Sequence, residues 1–499
     1  MTNSKHNLSE LPKGWACARL DDVSDIIRGI SFPKDAKTKT YQEGYIACLR
    51  TANVQREVDW SDLWFVPSEF VRRDQQLLQE HDILISTANS LELVGKVCQV
   101  RILTHPATLG AFIAAIRISP LVNPKFFYFQ IASSDIQASI RACASTTTNI
   151  SNVNTNRLKE IQLFTSPLNE QKRIVAKIEE LFTRLDAGIE ALKKVKAELK
   201  RYRQAVLKYA FEGKLTAEWR EKNKDKLEPA SNLLERIAKE REKNTKDKAK
   251  KLPPLDTSNL PELPEGWEWT KVHSVCETTS GGTPSRRKPE YYGGDIPWLK
   301  SGELNDGIVK SAEETITRHG LENSSAKIFP KGTLLIALYG ATVGKLGILG
   351  IDAVTNQAIC AIFTPKQLDD KYLFLYLANY RNKLLNLRIG GAQPNISQQI
   401  IRDIPFPITD FKEQRQIVAE IERHFSIADE VEQTVEKCLK EADRLRQSIL
   451  KRAFEGKLVE QNPEDEPAEK LLERIKAEKA KLQNEQKTKK RGVKAREGK

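Results

Sequence analysis

Several short stretches contain the residue types of catalytic sites, but their spacing does not fit the chemistry. GATVGK at 340–345 resembles a phosphate-binding loop, yet three residues separate its glycines instead of four. Leu346 stands where such a loop places the Ser or Thr that holds magnesium. The carboxylates of PEDEPAEK at 463–470 lie among two prolines, and this pattern predicts a helix entry instead of a nuclease centre.

Other enzyme signatures are also missing. None of the six histidines stands at a spacing from Ser, Cys or Asp that suggests a nucleophilic triad. A methyltransferase acting on an exocyclic amine would need a Pro-Pro-aromatic turn, and the nearest string, LPPL at 252–255, lies in a connector. The seven cysteines are widely spaced without a CxxC pair, so they predict reduced thiols and no zinc site. The chain by itself is therefore predicted to be non-catalytic.

Polar side chains instead follow apolar runs at three places in each half. In the first half these are Arg50, Thr51 and Asn53, then Ser86, Thr87, Asn89, Ser90 and Lys96, then Thr146, Thr147, Thr148 and Asn149. The matched second-half residues are Lys300, Ser301 and Asn305, then Tyr339, Thr342 and Lys345, then Gly391, Gln393 and Asn395. A fourth stretch, SGGTPSRRK at 280–288, adds Arg286 and Arg287 in the second half alone. For each place, an ordinary solvated turn is the alternative.

An internal repeat positions these places. Residues 170–215 begin EQKRIV and end AFEGKL, and residues 413–458 begin EQRQIV and end AFEGKL. The two 46-residue segments are identical at 22 positions with a constant offset of 243. LSELPKGW at 8–15 matches LPELPEGW at 260–267 with an offset of 252. We infer a duplication in which the globular parts changed length and the repeated segments did not.

Each repeated segment predicts one long helix. Its apolar residues advance by threes and fours, with a mean near the coiled-coil period of about 3.5 residues. They are Ile174, Ile178, Leu181, Leu185, Ile189, Leu192, Val195, Leu199, Tyr202, Val206 and Tyr209, and Ile417, Ile421, Phe425, Ala428, Val431, Val435, Cys438, Ala442, Leu445 and Ile449. Each helix would be roughly 60 Å long at about 1.5 Å per residue. Antiparallel pairing of the two would give one chain a pseudo-twofold shape. Two unrelated surface helices are the alternative.

The predicted fold class is α+β, with two α/β domains in tandem separated by two long antiparallel coiled-coil helices. The globular segments mix short apolar runs with Gly, Pro and Asn turns. The predicted boundaries are 1–166 for the first globular domain, 167–215 for the first long helix, 216–259 for a short helix and linker, 260–406 for the second globular domain, 407–458 for the second long helix, and 459–499 for a short helix and basic tail.

The net charge of +13 favours a polyanionic partner. Residues 476–499 contain ten Lys or Arg against three Asp or Glu, so part of this excess belongs to the basic tail. Because the sequence has neither a signal core nor an apolar run of membrane-spanning length, we expect a cytoplasmic protein. Two globular units held apart by fixed helices could read two DNA sites about one helical turn, roughly 34 Å, apart.

The order of these elements resembles the DNA specificity subunit of type I restriction-modification systems. The LPxGW openings, the EQxxIV helix starts and the AFEGKL helix ends carry the resemblance, which covers essentially the whole chain. It implies two target-recognition domains, each reading half of an asymmetric bipartite site in double-stranded DNA, with the helices setting the spacer. It also implies two modification subunits that carry S-adenosylmethionine and methylate adenine N6, and restriction subunits that use ATP and Mg.

The resemblance makes the polar places candidate DNA contacts. They are Arg50, Thr51, Asn53, Ser86, Thr87, Asn89, Ser90, Lys96, Thr147, Asn149, Arg286, Arg287, Lys300, Ser301, Asn305, Tyr339, Thr342, Lys345, Gln393 and Asn395. Arg, Asn and Gln can contact base edges bidentately, while Lys, Ser and Thr mostly hold phosphates. Phe182, Phe211, Phe425 and Phe454 are candidate docking residues for the modification subunits. The alternative is that they only close the intramolecular helix bundle.

Two other functions compete with this interpretation. One is the specificity chain of a type II assembly that cuts outside a bipartite site, which the neighbouring genes would distinguish. The other is a coiled-coil scaffold without a DNA role, which sequence-specific footprinting by the reconstituted complex would exclude. No catalytic residue, metal ligand or cofactor is assigned to this chain.

Overall fold

A computed structural model describes residues 11–146, 150–244, 255–386 and 395–497. The chain forms two compact units: unit 1 comprises residues 1–192 and 437–499, and unit 2 comprises residues 193–436. Each unit thus combines one globular segment with part of both repeated helices. The compact units differ from the sequence repeats because each long helix contributes residues to both units.

Among its described residues, the globular part of unit 1 contains three sheets and a separate strand pair. Its strands are β1 Ala16–Arg19, β2 Ser24–Arg28, β3 Tyr45–Leu49, β4 Trp64–Pro67, β5 Ile83–Ser86, β6 Ala88–Asn89, β7 Val97–Gln99, β8 Ala107–Leu109, β9 Ile113–Ile118, β10 Ala144–Thr146, β11 Ser151–Val153 and β12 Gln162–Thr165. Its helices are α1 Leu20–Val23, α2 Pro124–Ile131, α3 Ser134–Ala142 and α4 Thr155–Lys159. The sheets have the orders β2-β9-β5-β7, β4-β3-β8 and β10-β11-β6, and β1 pairs with β12.

The helices that follow are α5 Leu168–Phe211, α6 Ala217–Lys222 and α7 Ala230–Asn244. The globular part of unit 2 then has strands β13 Glu268–Lys271, β14 Glu277–Ser280, β15 Tyr292–Leu299, β16 Gly307–Val309, β17 Glu314–Ile316, β18 Ile328–Phe329, β19 Leu334–Ala337, β20 Leu346–Leu349, β21 Ala353–Thr355, β22 Ile359–Phe363 and β23 Pro405–Ile408. Its helices are α8 Val272–Val275, α9 Arg318–Glu322, α10 Asp370–Asn386 and α11 Gln398–Arg402. The sheets have the orders β14-β22-β19-β20-β16 and β17-β15-β21-β18, and β13 pairs with β23. The chain continues as α12 Phe411–Phe454 and α13 Ala468–Glu497.

The two long helices confirm the sequence prediction. Both α5 and α12 have 44 residues, and their bounds differ by the offset of the repeat. In unit 2, Lys196 Nζ lies 2.6 Å from Glu436 Oε1, and Arg203 Nη2 lies 2.5 Å from Asp429 Oδ1. Rising residue numbers on α5 thus meet falling numbers on α12, so the helices run antiparallel in this unit.

The predicted apolar seam is only partly buried. Ala428, Val435, Ala442 and Ile449, spaced by seven residues, are buried along α12. Val195, Tyr202, Tyr209, Val431 and Leu445 belong to the predicted seam but are at least 39% exposed, so the prediction is wrong for these positions. A straight helix with 3.6 residues per turn drifts away from a 3.5-residue pattern, and the globular parts bury other faces of the helices.

The LPxGW and EQ motifs fasten each globular segment to its long helix. Trp15 Nε1 donates to Glu170 Oε2 at 3.0 Å, and Trp267 Nε1 donates to Glu413 Oε2 at 2.9 Å. All four side chains are buried. Each pair joins the start of a globular segment to the first turns of the helix about 150 residues later, so these motifs are structural joints.

The glutamine of each EQ motif makes a second joint. Gln171 Oε1 accepts from the backbone N–H of Asn123 at 3.0 Å, just before α2. Gln414 Oε1 accepts from the backbone N–H of Asp369 at 2.9 Å, just before α10. Because both glutamines are fully buried, these bonds satisfy backbone donors that water does not reach.

The AFEGKL motif ends each long helix. Gly213 and Gly456 have φ values of +70° and +69°, the left-handed conformation that commonly terminates a helix. A Cβ at either glycine would lie 2.3 Å from a proline ring atom, of Pro264 or Pro12 respectively. Each motif therefore packs against the LPxGW opening within its own unit, which requires glycine at this position.

The C-terminal segment differs from the prediction of a short helix and a tail. Helix α13 continues to Glu497 and includes most of the predicted basic tail. Leu471 and Ile475 bury its first turns in the core of unit 1. Lys479 Nζ donates to the backbone oxygens of Asp21 and Ser24 at 2.5 and 2.8 Å. Good helix formers such as Ala, Lys, Glu and Leu dominate this stretch, so the helix continues past its packed turns.

Candidate nucleic-acid interface

The second polar place forms the same β-hairpin base in both units. In unit 1, the Ser86 N–H donates to Lys96 O at 2.9 Å, and the Gly95 N–H donates to Ser86 O at 2.8 Å. In unit 2, Ala337, Gly344 and Lys345 make the same two bonds at 2.9 and 2.8 Å. Lys96 and Lys345 are therefore structural equivalents, as their alignment in the sequence predicts.

The third polar place lies beside the second in each unit. Asn89 of β6 pairs with Ser151 of β11, and Tyr339 forms an isolated bridge with Asn395. Thr147, Asn149 and Gln393 fall outside the described residues, as do Thr148 and Gly391. Two of the three predicted places are thus neighbours in the fold although more than 50 residues separate them in the chain.

Backbone bonds correct the sequence alignment of the third place. The Val153 N–H donates to Thr87 O at 2.8 Å, and the Ile396 N–H donates to Leu338 O at 2.9 Å. These equivalent bonds make Asn152 the counterpart of Asn395, whereas the sequence match had paired Asn395 with Asn149. The string NIS stands at 149–151 and again at 395–397, and matching these two strings shifted the alignment by three residues. The residues that cap the next helices give the correct register. Asn154 and Ser397 cap α4 and α11 at the same offset of 243 as the long helices.

Asn53 and Ser86 are predicted contacts that the fold buries, each being 1% exposed. Asn53 Oδ1 accepts from the Arg50 N–H at 2.9 Å, and its amide donates to Asp59 O at 2.8 Å and Asp62 O at 3.0 Å. Glu303 Oε1 does the same for the Lys300 N–H at 2.8 Å, so the counterpart of Asn53 is Glu303 and not Asn305. The Asn53 side chain therefore holds its turn. Ser86 bonds only through its backbone, and its buried hydroxyl has no hydrogen-bond partner among the described residues. Neither side chain is presented to a ligand.

Arg50 and Lys300 of the first place and Arg286 of the fourth have internal partners. Arg50 pairs with Asp62, and its guanidinium lies 4.8 Å from the Trp64 ring centroid. Lys300 and Arg286 share Glu314, with N–O distances of 2.9 and 2.7 Å. Hydrogen bonds from Arg286 and Lys300 hold the pKa of the Glu314 carboxyl below its usual value. A polyanion would have to displace these carboxylates to reach the cations.

Three other cations, Lys96 and Lys345 of the hairpins and Arg287, are better placed to contact a polyanion. Lys96 Nζ donates to the neutral Gln55 side chain at 2.5 Å, which links the first place to the second. No carboxylate of the described residues pairs with Lys96. Arg287 is exposed, and Lys345 is partly exposed. Within the described ranges, neither Arg287 nor Lys345 has a side-chain hydrogen bond or ion pair. Thr51, Thr87, Asn89, Thr342 and Ser301 are half-buried, while Ser90, Asn305, Tyr339 and Asn395 are exposed.

In unit 2, Arg381 was not predicted but supports the hairpin. Its Nε donates to Gly344 O at 2.8 Å, and its guanidinium pairs with Asp306. Asp306 Oδ1 in turn accepts from the Leu346 N–H at 3.0 Å. No sequence signal marks Arg381, because it lies on α10, far along the chain from both partners.

The four candidate docking phenylalanines pack inside the units. Phe211 and Phe454 are 4% and 8% exposed and belong to the cores of units 2 and 1, so they cannot form an open docking surface. Phe182 packs on Phe129 with ring centroids 5.6 Å apart, and Arg446 lies 4.3 Å from its ring. Phe425 is half-buried against the core of unit 2. The AFEGKL ends face inward because they close the helix onto its globular partner.

Among the described residues, no group of three or more His, Cys, Asp or Glu is arranged to hold a metal ion. No helix in the described ranges is both long and apolar enough to cross a membrane.

Two α/β units in tandem, each fastened to an equal long helix and each carrying the same hairpin base, define a duplicated two-domain protein. The family model for the type I restriction modification DNA specificity domain matches residues 12–201 and 264–441. Because these matches span both halves, the chain belongs to this family. The assignment gives it a non-catalytic DNA-recognition role in a complex with other restriction-modification subunits; such specificity subunits bind no cofactor themselves.

Individual relatives agree. The chain is 27% identical to the type I restriction enzyme EcoKI specificity subunit of Escherichia coli strain K12, over 94% of this chain and 97% of that one. It is 27% identical to the StySPI specificity subunit of Salmonella potsdam, over 95% of this chain and 97% of that one. The HsdS subunit from Thermoanaerobacter tengcongensis shares the fold at 18% identity with a TM-score of 0.53, covering 92% of this chain and 100% of the other.

Proposed function

We propose that each unit reads one half of an asymmetric bipartite DNA site through the hairpins at β5–β7 and β19–β20. The observation that carries this proposal is the pair of equivalent hairpin bases, each bearing a lysine and lying beside a second polar strand or bridge. Lysine supplies phosphate contacts that position a domain, while amides and arginines beside it can reach base edges. We also propose that the protein is cytoplasmic, because the DNA that it would read lies in the cytoplasm.

We further propose that α5 and α12 set the length of the unread spacer. Both helices have 44 residues while the globular segments differ in length, so the separation is more constrained than the content of each half-site. Sequencing methylated bases in the host tests the whole proposal. The expected result is a split asymmetric motif with methyladenine on both strands, and a continuous palindrome would contradict it.

The two modification subunits would dock on the long helices and carry S-adenosylmethionine to adenine N6, with ATP and Mg confined to the restriction subunits. We propose an exposed stripe on α5 as the docking surface in place of the four phenylalanines. Val195, Tyr202 and Tyr209 are 40%, 39% and 54% exposed and are spaced by seven residues, so they line one helix face. An exposed heptad stripe is suited to a partner helix.

Tyr209→Glu combined with Val195→Glu is expected to abolish co-purification with the modification subunit, because two charges would have to be buried in an apolar contact. Thr183→Glu combined with Lys194→Glu, at exposed positions of the same helix, should leave co-purification intact. Pull-down of the co-expressed subunits measures the effect, with circular dichroism to verify folding. Retained complex in a folded stripe variant would rule out this surface.

Lys345→Ala and Arg50→Ala are expected to affect DNA binding differently. Loss of Lys345 should weaken binding to every sequence and reduce the slope of log affinity against log salt by about one. Loss of Arg50 should relax choice at one base pair by about 1–3 kcal/mol, if its guanidinium leaves Asp62 for a guanine. Titrations of the reconstituted complex over a salt series and against single-base variants measure both.

Lys331→Ala is the matched control, since Lys331 is exposed and lies before β19, at the opposite end of that strand from Lys345. An equal loss of salt slope in this control would assign the effect to net charge alone. Unchanged slope in Lys345→Ala together with unchanged base choice in Arg50→Ala would remove both residues from the interface.

A further inference from the structure

The hairpin end of unit 1 exposes large apolar side chains. Leu91 is 56% exposed, Leu93 is 48%, Ile150 is 52% and Phe112 is 64%. Exposed apolar residues that cluster on a protein surface often mark a binding site. We call these four residues the apolar tip.

Backbone pairing places the four residues around one hairpin end. Asn89 pairs with Ser151, so Ile150 follows on toward the end of this ladder, opposite Ser90. The Leu93 N–H donates to Ser90 O at 3.1 Å, which folds the 91–94 turn back over this point. The Thr87 N–H donates to Phe112 O at 2.9 Å, which brings Phe112 to the same end of the sheet.

The fold does not require the two leucines. Unit 2 builds the same hairpin base with YGATVG at 339–344, which is two residues shorter and has no leucine or isoleucine. Val94 is buried in unit 1 as Val343 is in unit 2, so one valine supplies the packing that both hairpins share. Leu91 and Leu93 are therefore additions specific to unit 1.

The surroundings of the apolar tip favour the groove of duplex DNA as its ligand. Lys96 at the hairpin base has no carboxylate partner in the part of the chain that the structure describes, so it can hold a phosphate. Asn89 carries an amide that can read adenine. Glu92 lies between the two leucines in the sequence. Phosphates would repel its carboxylate, but the carboxylate can accept a hydrogen bond from the cytosine amine. Glu92 therefore favours a position of the tip over the base edges, between the two phosphate backbones of the DNA. In the major groove, the apolar group that base pairs present is the C5 methyl of thymine.

We propose that the apolar tip contacts thymine methyl groups in the half-site that unit 1 reads. This inference rests on the proposed function and specifies its chemistry: unit 1 selects partly through apolar contact, and unit 2 through hydroxyl, aromatic and amide groups. Each methyl removed from water contributes about fourfold in affinity.

Replacement of thymidine by deoxyuridine, which removes only the methyl group, tests the proposal. The full chain, co-expressed with its modification subunits, is titrated with duplexes in which each thymine of the site is replaced in turn. The wild type should lose about fourfold at one or more thymines of one half-site. The double variant Leu91→Ser, Leu93→Ser should bind the thymine duplex as weakly as the wild type binds the deoxyuridine duplex. Its affinity should not change further when those thymines are replaced by deoxyuridine. Ile102→Ser, at an exposed residue beyond the other end of β7, should behave as wild type.

Each other result overturns the proposal. A wild type indifferent to deoxyuridine throughout, or a leucine variant that keeps the full response, shows that the tip does not read methyl groups. A leucine variant that keeps its DNA response but loses the modification subunits makes the tip a protein contact instead. Failure of the wild type to prefer its site over random DNA would instead contradict the proposed function.

Discussion

Glu413→Ala is expected to lower the free energy of unfolding of unit 2 by about 3–5 kcal/mol, the range for removing one partner from a buried charged network. Glu413 is 1% exposed and accepts hydrogen bonds from Trp267 at 2.9 Å, Thr216 at 2.9 Å and Thr409 at 2.7 Å. Arg220 lies 3.5 Å from the same carboxylate. The alanine variant would leave these donors buried without an acceptor.

The repeat supplies a contrasting site in unit 1. Glu170 receives Trp15, but Val459 replaces Thr216 at the repeat offset, and Glu170 Oε1 is buried without a hydrogen-bond partner. Burial raises the pKa of the Glu170 carboxyl. The folded state therefore binds this proton more tightly than the unfolded state does, and the contribution of Glu170 to stability falls as pH rises through the folded pKa. Glu170→Gln should remove that dependence and cost much less than Glu413→Ala.

Hydrogen exchange of peptides from each unit, with denaturant titration between pH 5 and 8, measures both effects. Glu430→Ala, at an exposed position on the same helix as Glu413, should change stability by less than about 0.5 kcal/mol. If Glu413→Ala were as mild as Glu430→Ala, the EQ motif would not be a structural joint.

Insertion of seven residues into each long helix is expected to remove selective binding to the native site, a loss of about 10³-fold or more. The insertions are placed after Leu192 and after Glu436, at the borders of the two units. A heptad keeps the paired faces in phase while adding about 10 Å, the length of about three base pairs. Two rigid readers would then meet their half-sites out of position.

Selection from duplexes with spacers of varied length measures the outcome. The variant should either bind its two half-sites selectively when the spacer between them is longer, or bind every duplex only as strongly as random DNA. A heptad inserted after Leu482 of α13, which lies outside the two long helices, is the control and should leave spacer choice unchanged. A folded double insertion that still prefers the native spacer would show that the helices do not set it.

The sequence alone determined the repeat, the two equal helices and the family resemblance. The helix period and the terminal glycines are local properties of the chain. Each motif has the same key residues in both halves because each structural joint needs one residue type. At Gly213 and Gly456, for example, the left-handed backbone and the adjacent proline rings exclude a side chain. Such requirements leave a signal in the sequence before any tertiary contact is known.

Only the tertiary structure decided which polar and apolar side chains are exposed at the surface. Asn53 and Ser86 have the residue types of DNA contacts but are buried. Phe211 was predicted to be a docking residue but lies in the core of unit 2. Asn152, and not Asn149, is the structural counterpart of Asn395, because backbone hydrogen bonds define the register and repeated sequence strings do not. Exposure and register depend on contacts between residues far apart in the chain, and local sequence patterns do not specify those contacts.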